Sequence, residues 1–107
     1  MERRKARIER VFAEAERSGD FADRPLIVLT QGKMPTGTSA PDRQYAAYLQ
    51  VWIHEIQPKL ARLSSRGRQI IVGNSGHRIT QERPDVVAAA VRDVVDEVRR
   101  LSGVLPP

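Results

Sequence analysis

Apolar positions along the chain change their spacing four times, and each change marks an element. Ile8, Val11, Phe12 and Ala15 recur at helical spacing and predict an amphipathic helix over residues 2–17, closed by Ser18-Gly19-Asp20. After a linker, Leu26, Ile27, Val28 and Leu29 form a continuous, branched run. That pattern predicts a short strand buried on both faces. Pro25 stands at its first position, where a missing N–H does least harm. Residues 31–42 carry two glycines and two prolines and read as a loop. A loop of this length points to function more than to simple connection. Over residues 43–64 the period returns to helical, with Tyr45, Tyr48, Leu49, Trp52, Ile56, Leu60 and Leu63 on one broad face. Pro58 lies inside that segment and should kink or divide the helix, because it removes one backbone bond and crowds the preceding turn. Ser64-Ser65-Arg66-Gly67 closes it.

A second apolar strand is predicted at residues 69–72, and a last helix from about Pro84 to Leu101. Val87, Val91, Val94, Val95, Val98 and Leu101 give that helix an apolar seam. Asp85 near its start and Arg99 and Arg100 near its end complement the helix dipole. Gly103 and the tail Pro106-Pro107 stop it.

The element order is therefore α-β-α-β-α, an α/β class chain. Two apolar strands joined through a helix imply a parallel pair with a right-handed crossover and helices on both sheet faces. Two strands alone leave both edges bare, and an exposed apolar edge is a liability. The expectation is a single incomplete domain over 1–107, with a leading helix and linker over 1–24 and a β-α-β-α core over 25–102. Further strands would stand beside residues 26–29, on an N-terminal part.

Composition narrows the function classes. No apolar run is long enough to span a bilayer, and the charged start Met-Glu-Arg-Arg-Lys is not a secretory signal. The absence of cysteine excludes disulfides and cysteine-based catalysis or metal binding, and it fits a cytoplasmic location. The formal charge is +5 and the isoelectric point about 10.4. Such a balance invites a nucleic-acid reading. Much of the excess lies in the first helix, at Arg3, Arg4, Lys5, Arg7 and Arg10, where Glu2, Glu9, Glu14 and Glu16 interrupt it. Aromatic residues are few and not interleaved with the basic ones, so the sequence displays no stacking platform for bases. A solvated helix face accounts for the same charges.

The chemistry-bearing motif is Gly73-Asn74-Ser75-Gly76-His77-Arg78-Ile79, which follows the second strand directly. A general base needs an imidazole held at the mouth of a site. In α/β proteins such sites form outside the carboxyl ends of the strands. Gly73 and Gly76 would supply backbone freedom to aim the ring. An ordinary surface-loop histidine has the same spacing. Two other motifs lose their mechanism on inspection. Gly32-x-x-x-x-Gly37-Thr38-Ser39 follows a strand as a phosphate-binding loop does, but Thr38 stands where the lysine should be and Pro41 falls at the helix start. His54-Glu55-Ile56-Gln57-Pro58 begins like a zinc-binding H-E-x-x-H, but its second ligand position is Pro58.

Several features in order carry a family resemblance: Pro25-Leu26-Ile27-Val28-Leu29-Thr30-Gln31-Gly32, then Trp52 within a helix running to Leu63-Ser64, then Ser75-Gly76-His77-Arg78-Ile79 with Pro84 and Val87 after it. Over roughly residues 25–100 this resembles the closing segment of bacterial α/β-hydrolase-fold proteins. The resemblance implies that His77 is the proton-shuttling base for hydrolysis of an ester or related small-molecule substrate. Ser75 and Gly76 would shape its turn. The family pattern places an acid after the penultimate strand. In loop 31–42 Asp42 is the only carboxylate, so it is the position available for that role, although it also fits an N-cap of the next helix. An acid after an earlier strand is the alternative.

No G-x-S-x-G nucleophile elbow occurs in the 107 residues. The Ser75 context lacks the elbow's second glycine. The chain is thus expected to be a fragment, inactive alone, that meets an N-terminal hydrolase part. A remnant that persists as an interaction module, or that associates with itself through its bare strand edge, is the competing reading. No cofactor and no metal are expected.

Overall fold

The computed structural model describes residues 21–103 together with Arg3, Lys5, Ala6, Arg7, Glu9, Arg10, Ala13 and Glu14. Those eight N-terminal residues are helical. The apolar stripe expected at Ile8, Val11, Phe12 and Ala15, its closing Ser18-Gly19-Asp20, and the Pro106-Pro107 tail lie outside the described residues.

Strand β1 runs Leu26–Gln31, and β2 runs Gly67–Val72. Each is two residues longer than its apolar run. They pair in parallel, with Leu26 beside Gly67 and Gln31 beside Val72. Between them stand helix α1 (Ala40–Val51), a π-helical segment (Trp52–Ile56) and helix α2 (Gln57–Ala61). After β2 come a short helix α3 (Ile79–Glu82), which the sequence pattern did not indicate, and the long helix α4 (Pro84–Leu101).

Alternation along the strands sends the two helical layers to opposite faces. Thr30 of β1 and Gln69 of β2 face the π segment and α2. The Thr30 hydroxyl donates to Gln57 Oε1 at 3.1 Å, and Gln69 Nε2 donates to Thr30 Oγ1 at 3.0 Å and to the Ile53 carbonyl at 2.9 Å. Ile27 and Leu29 point the other way, toward Val87, Ala90 and Val94 of α4, and Arg68 on that face reaches Asp93 of α4 at 3.4 Å. The chain is an α/β protein of helix, two-stranded parallel sheet and helix.

The π segment explains how the crossover helix passes Pro58. In the π register a carbonyl receives the N–H five residues on, as Trp52 does from Gln57. The matching donor for Ile53 would be residue 58, a proline without an N–H. The Gln69 side chain supplies that bond from the neighbouring strand. Thr30, fully buried, and Gln57, 7% exposed, complete the network, so no buried side-chain polar atom there is left without a partner.

The two faces differ in closure. Leu49, Ile53, Ile56 and Ala61 are buried on the crossover helix. Burying a leucine or isoleucine side chain contributes about 1.5–3 kcal/mol, so this side carries the core. On α4 only Ala90 is buried among the described residues, while Val91, Val95, Val98 and Leu101 are 40–57% exposed. The first four residues of β1 are only partly buried, contrary to the expectation of a strand buried on both faces. An apolar groove of about 280 Å³ remains between β1 and α4. Among the described residues β1 pairs with one strand only, β2.

Candidate functional site at the strand ends

The loop after β1 and the turn after β2 meet at the carboxyl ends of the strands. The Ser75 carbonyl accepts from the Gly32 N–H at 3.2 Å and from the Lys33 N–H at 3.0 Å. The Val72 carbonyl accepts from Gly32 at 2.9 Å and from Ser75 at 3.1 Å. Gly32 permits this approach. A Cβ on it would lie 2.9 Å from Gly73 Cα and 3.0 Å from the Val72 oxygen. Ser75 is fully buried, and its hydroxyl donates to the Gly76 carbonyl at 3.0 Å. The turn that carries His77 is thereby fastened to both strands.

His77 itself is exposed at the rim of this junction. Among the described residues it forms no ion pair with a carboxylate. Gly73 and Gly76 lie in the turn, but neither adopts left-handed backbone. Gly103 is the one glycine with positive φ among the described residues. The turn is therefore set by the Ser75 and Val72 hydrogen bonds and not by a left-handed glycine hinge.

A second clamp holds the turn from the helix side. Arg83 donates to both Asp85 carboxylate oxygens, at 2.9 and 2.7 Å, and also to the Asn74 side-chain oxygen. This planar, two-pronged contact ties the turn to the first residues of α4. The Arg83 hydrogen bond holds the Asp85 carboxyl at about 2, below its ordinary 3.8. A group with a lowered folded pKa stabilises the fold above its unfolded value and loses that contribution as pH falls through the folded one. The Asp85 carboxyl should therefore titrate near 2 by NMR. The stability difference between wild type and Asp85→Asn should be constant above about pH 5 and shrink as pH falls from about 4 toward 2. A difference that persists unchanged at pH 2 contradicts the clamp.

Asp42 does not join His77. Its carboxylate accepts from the Ser39 hydroxyl at 2.7 Å, and its N–H donates to Ser39 Oγ at 3.2 Å. Ser39 is the N-cap of α1, and Asp42 stands three residues on, in the first turn. The expected N-cap role thus belongs to Ser39. This reciprocal arrangement has the logic of a capping box, and Ser39-Ala40-Pro41-Asp42 is its sequence signal. Pro41 sits in the first turn of α1 and does not interrupt the helix. The carboxylate at that helix start disfavours a phosphate there, which removes the remaining support for a phosphate-binding loop. His54 and Glu55 are both exposed, and Glu55 pairs with Lys5 at 3.5 Å. Sequence reasoning missed Glu82 of α3. Its carboxylate comes within 3.1 Å of where a Cβ on Gly76 would sit, so a carboxylate stands beside the histidine turn.

No protein family, curated protein or solved structure matches the chain.

Proposed function

We propose that this chain is the C-terminal portion of an α/β-hydrolase-fold enzyme, with His77 as the general base for hydrolysis of an ester or related small-molecule substrate. The observation that carries the reading is the His77 turn itself. It lies at the carboxyl ends of two parallel strands, fastened to both through Ser75 and Val72. The partly buried β1 and the exposed valines of α4 also support it, because further strands beside β1 would cover them. A base without a nucleophile catalyses little, so the chain alone is inactive.

The test is the intact mass of the native protein from its source cells, read beside the coding sequence upstream of Met1. A mass well above 12.0 kDa, with a nucleophile elbow in the added residues, is the expected result. A mass of 12.0 kDa with no elbow upstream overturns the enzyme reading. The β1 edge, which pairs with no further strand among the described residues, then favours the second reading, a remnant that associates with itself. Sedimentation of the chain as a stable monomer would exclude that reading in turn.

A further inference from the structure

The charges of the N-terminal helical residues are sorted by face. Lys5 pairs with Glu55 at 3.5 Å and Glu9 with Lys59 at 3.0 Å, so one face is fastened to the π segment and α2. Arg3, Arg7 and Arg10 lie at spacings of four and three and share another face. That face lines an open groove of about 1160 Å³, whose far wall is Pro41, Gln44, Tyr45 and Tyr48 of α1. No acidic side chain lines the groove among the described residues. Glu9, which breaks the basic run in sequence, is turned to Lys59 and does not line it.

The far wall is aromatic. Tyr45, Tyr48 and Trp52 form a ladder of near-parallel rings, with centroids 6.4 and 6.1 Å apart and planes 16° and 23° from parallel. Tyr45 is 48% exposed at the open end of that ladder. Guanidinium groups across a groove from aromatic rings are the two halves of single-stranded nucleic-acid recognition: cations for the phosphates and π-systems for the bases. Arg3 to Arg10 spans about 10 Å along a helix axis, at 1.5 Å per residue, which exceeds the reach of one phosphate group. The groove is also larger than the usual range for a single small ligand.

We propose that this groove binds a short stretch of single-stranded nucleic acid. Arg3, Arg7 and Arg10 contact the phosphates, and Tyr45 stacks on a base. The site is separate from the His77 turn, so its success or failure does not depend on the hydrolase reading.

Fluorescence anisotropy of the full chain with a labelled short oligothymidylate, over a salt series, tests it. Binding that weakens with salt is expected. Arg7→Gln should weaken it and lower the slope of log K against log salt by about one. Tyr45→Ala should weaken it about fivefold or more, with circular dichroism unchanged. Arg92→Gln, an exposed arginine of α4 away from the groove, removes the same charge and should have a smaller effect than Arg7→Gln. Competition by unlabelled mononucleotide should be weaker than by unlabelled oligothymidylate. The proposal is overturned by no binding at low salt. It is equally overturned by equal losses in Arg7→Gln and Arg92→Gln, by equal competition from inorganic polyphosphate, or by an unchanged affinity in Tyr45→Ala.

Discussion

Replacing Gly67 with alanine should destabilise the protein by about 3 kcal/mol or more, at the upper end of overpacking effects. A Cβ at this position would lie 1.7 Å from the Ala61 carbonyl oxygen, 2.7 Å from its carbon and 3.1 Å from the Ser64 oxygen. All three are backbone atoms, so no rotamer change relieves the contact. Gly67 opens β2 beside Leu26, and its own N–H donates to the Ser64 carbonyl at 3.0 Å. Relief would require α2 to lift from the sheet or β2 to shift its start. Lifting α2 would pull Gln57 from Thr30, and shifting β2 would pull Gln69 from Ile53. Gly67 has no positive φ, so the effect is steric and not conformational. Gly73 is the matched control: nothing lies within 4 Å of its Cβ position, and Gly73→Ala should stay within about 0.5 kcal/mol of wild type. Urea unfolding followed by circular dichroism separates the two variants. Equal midpoints for Gly67→Ala and wild type would show that α2 does not press on the start of β2.

How much of this was legible in the sequence depends on where each determinant resides. The strands were visible because Leu26 to Leu29 and Gln69 to Val72 carry their signal in composition alone. The last helix was visible because its apolar seam has a period and its ends carry Pro84 and Gly103. What the seam could not tell is what it faces. Val91, Val95 and Val98 read as core residues, yet they are 40–57% exposed, because helical periodicity shows which residues share a face and not what packs on it. The π segment was illegible for a related reason. Pro58 announced a disturbance, but the form it takes depends on Gln69, which reaches across from another strand to the Ile53 carbonyl. The same limit hid the basic groove. In sequence Glu9 dilutes the arginines, and only its pairing with Lys59 removes it from their face. The start of α1 differs: a cap was legible there and was expected at Asp42, whereas the N-cap is Ser39, three residues earlier.

The histidine turn shows how far a motif reaches. Its position after β2 was legible, and so was its place at the strand ends. Its fastening was not, because the hydrogen bonds to Ser75 come from Gly32 and Lys33 of the loop after β1. Those bonds matter to the proposed chemistry. A base must return to one place after each proton transfer, and a turn held at two strands and at α4 through Arg83 is stiff there.

In the complete enzyme that we propose, His77→Ala should lower kcat by roughly a hundred- to ten-thousand-fold, the range for loss of a positioned general base. The chain should remain folded. His77 is exposed and pairs with no carboxylate among the described residues, so its removal opens no cavity and breaks no ion pair there. Thermal unfolding should match wild type within about 0.5 kcal/mol. The assay is hydrolysis of a short-chain nitrophenyl ester by the polypeptide that carries the nucleophile elbow. Two variants sharpen it. Asp42→Asn should leave kcat unchanged, because its carboxylate is committed to Ser39 at the start of α1. Arg83→Gln should reduce kcat less than His77→Ala, because it loosens the turn without removing the base. Unchanged kcat in His77→Ala would end the catalytic role of the turn. A fall in Asp42→Asn as deep as that in His77→Ala would instead make Asp42 the orienting acid and require the loop after β1 to rearrange in the complete enzyme.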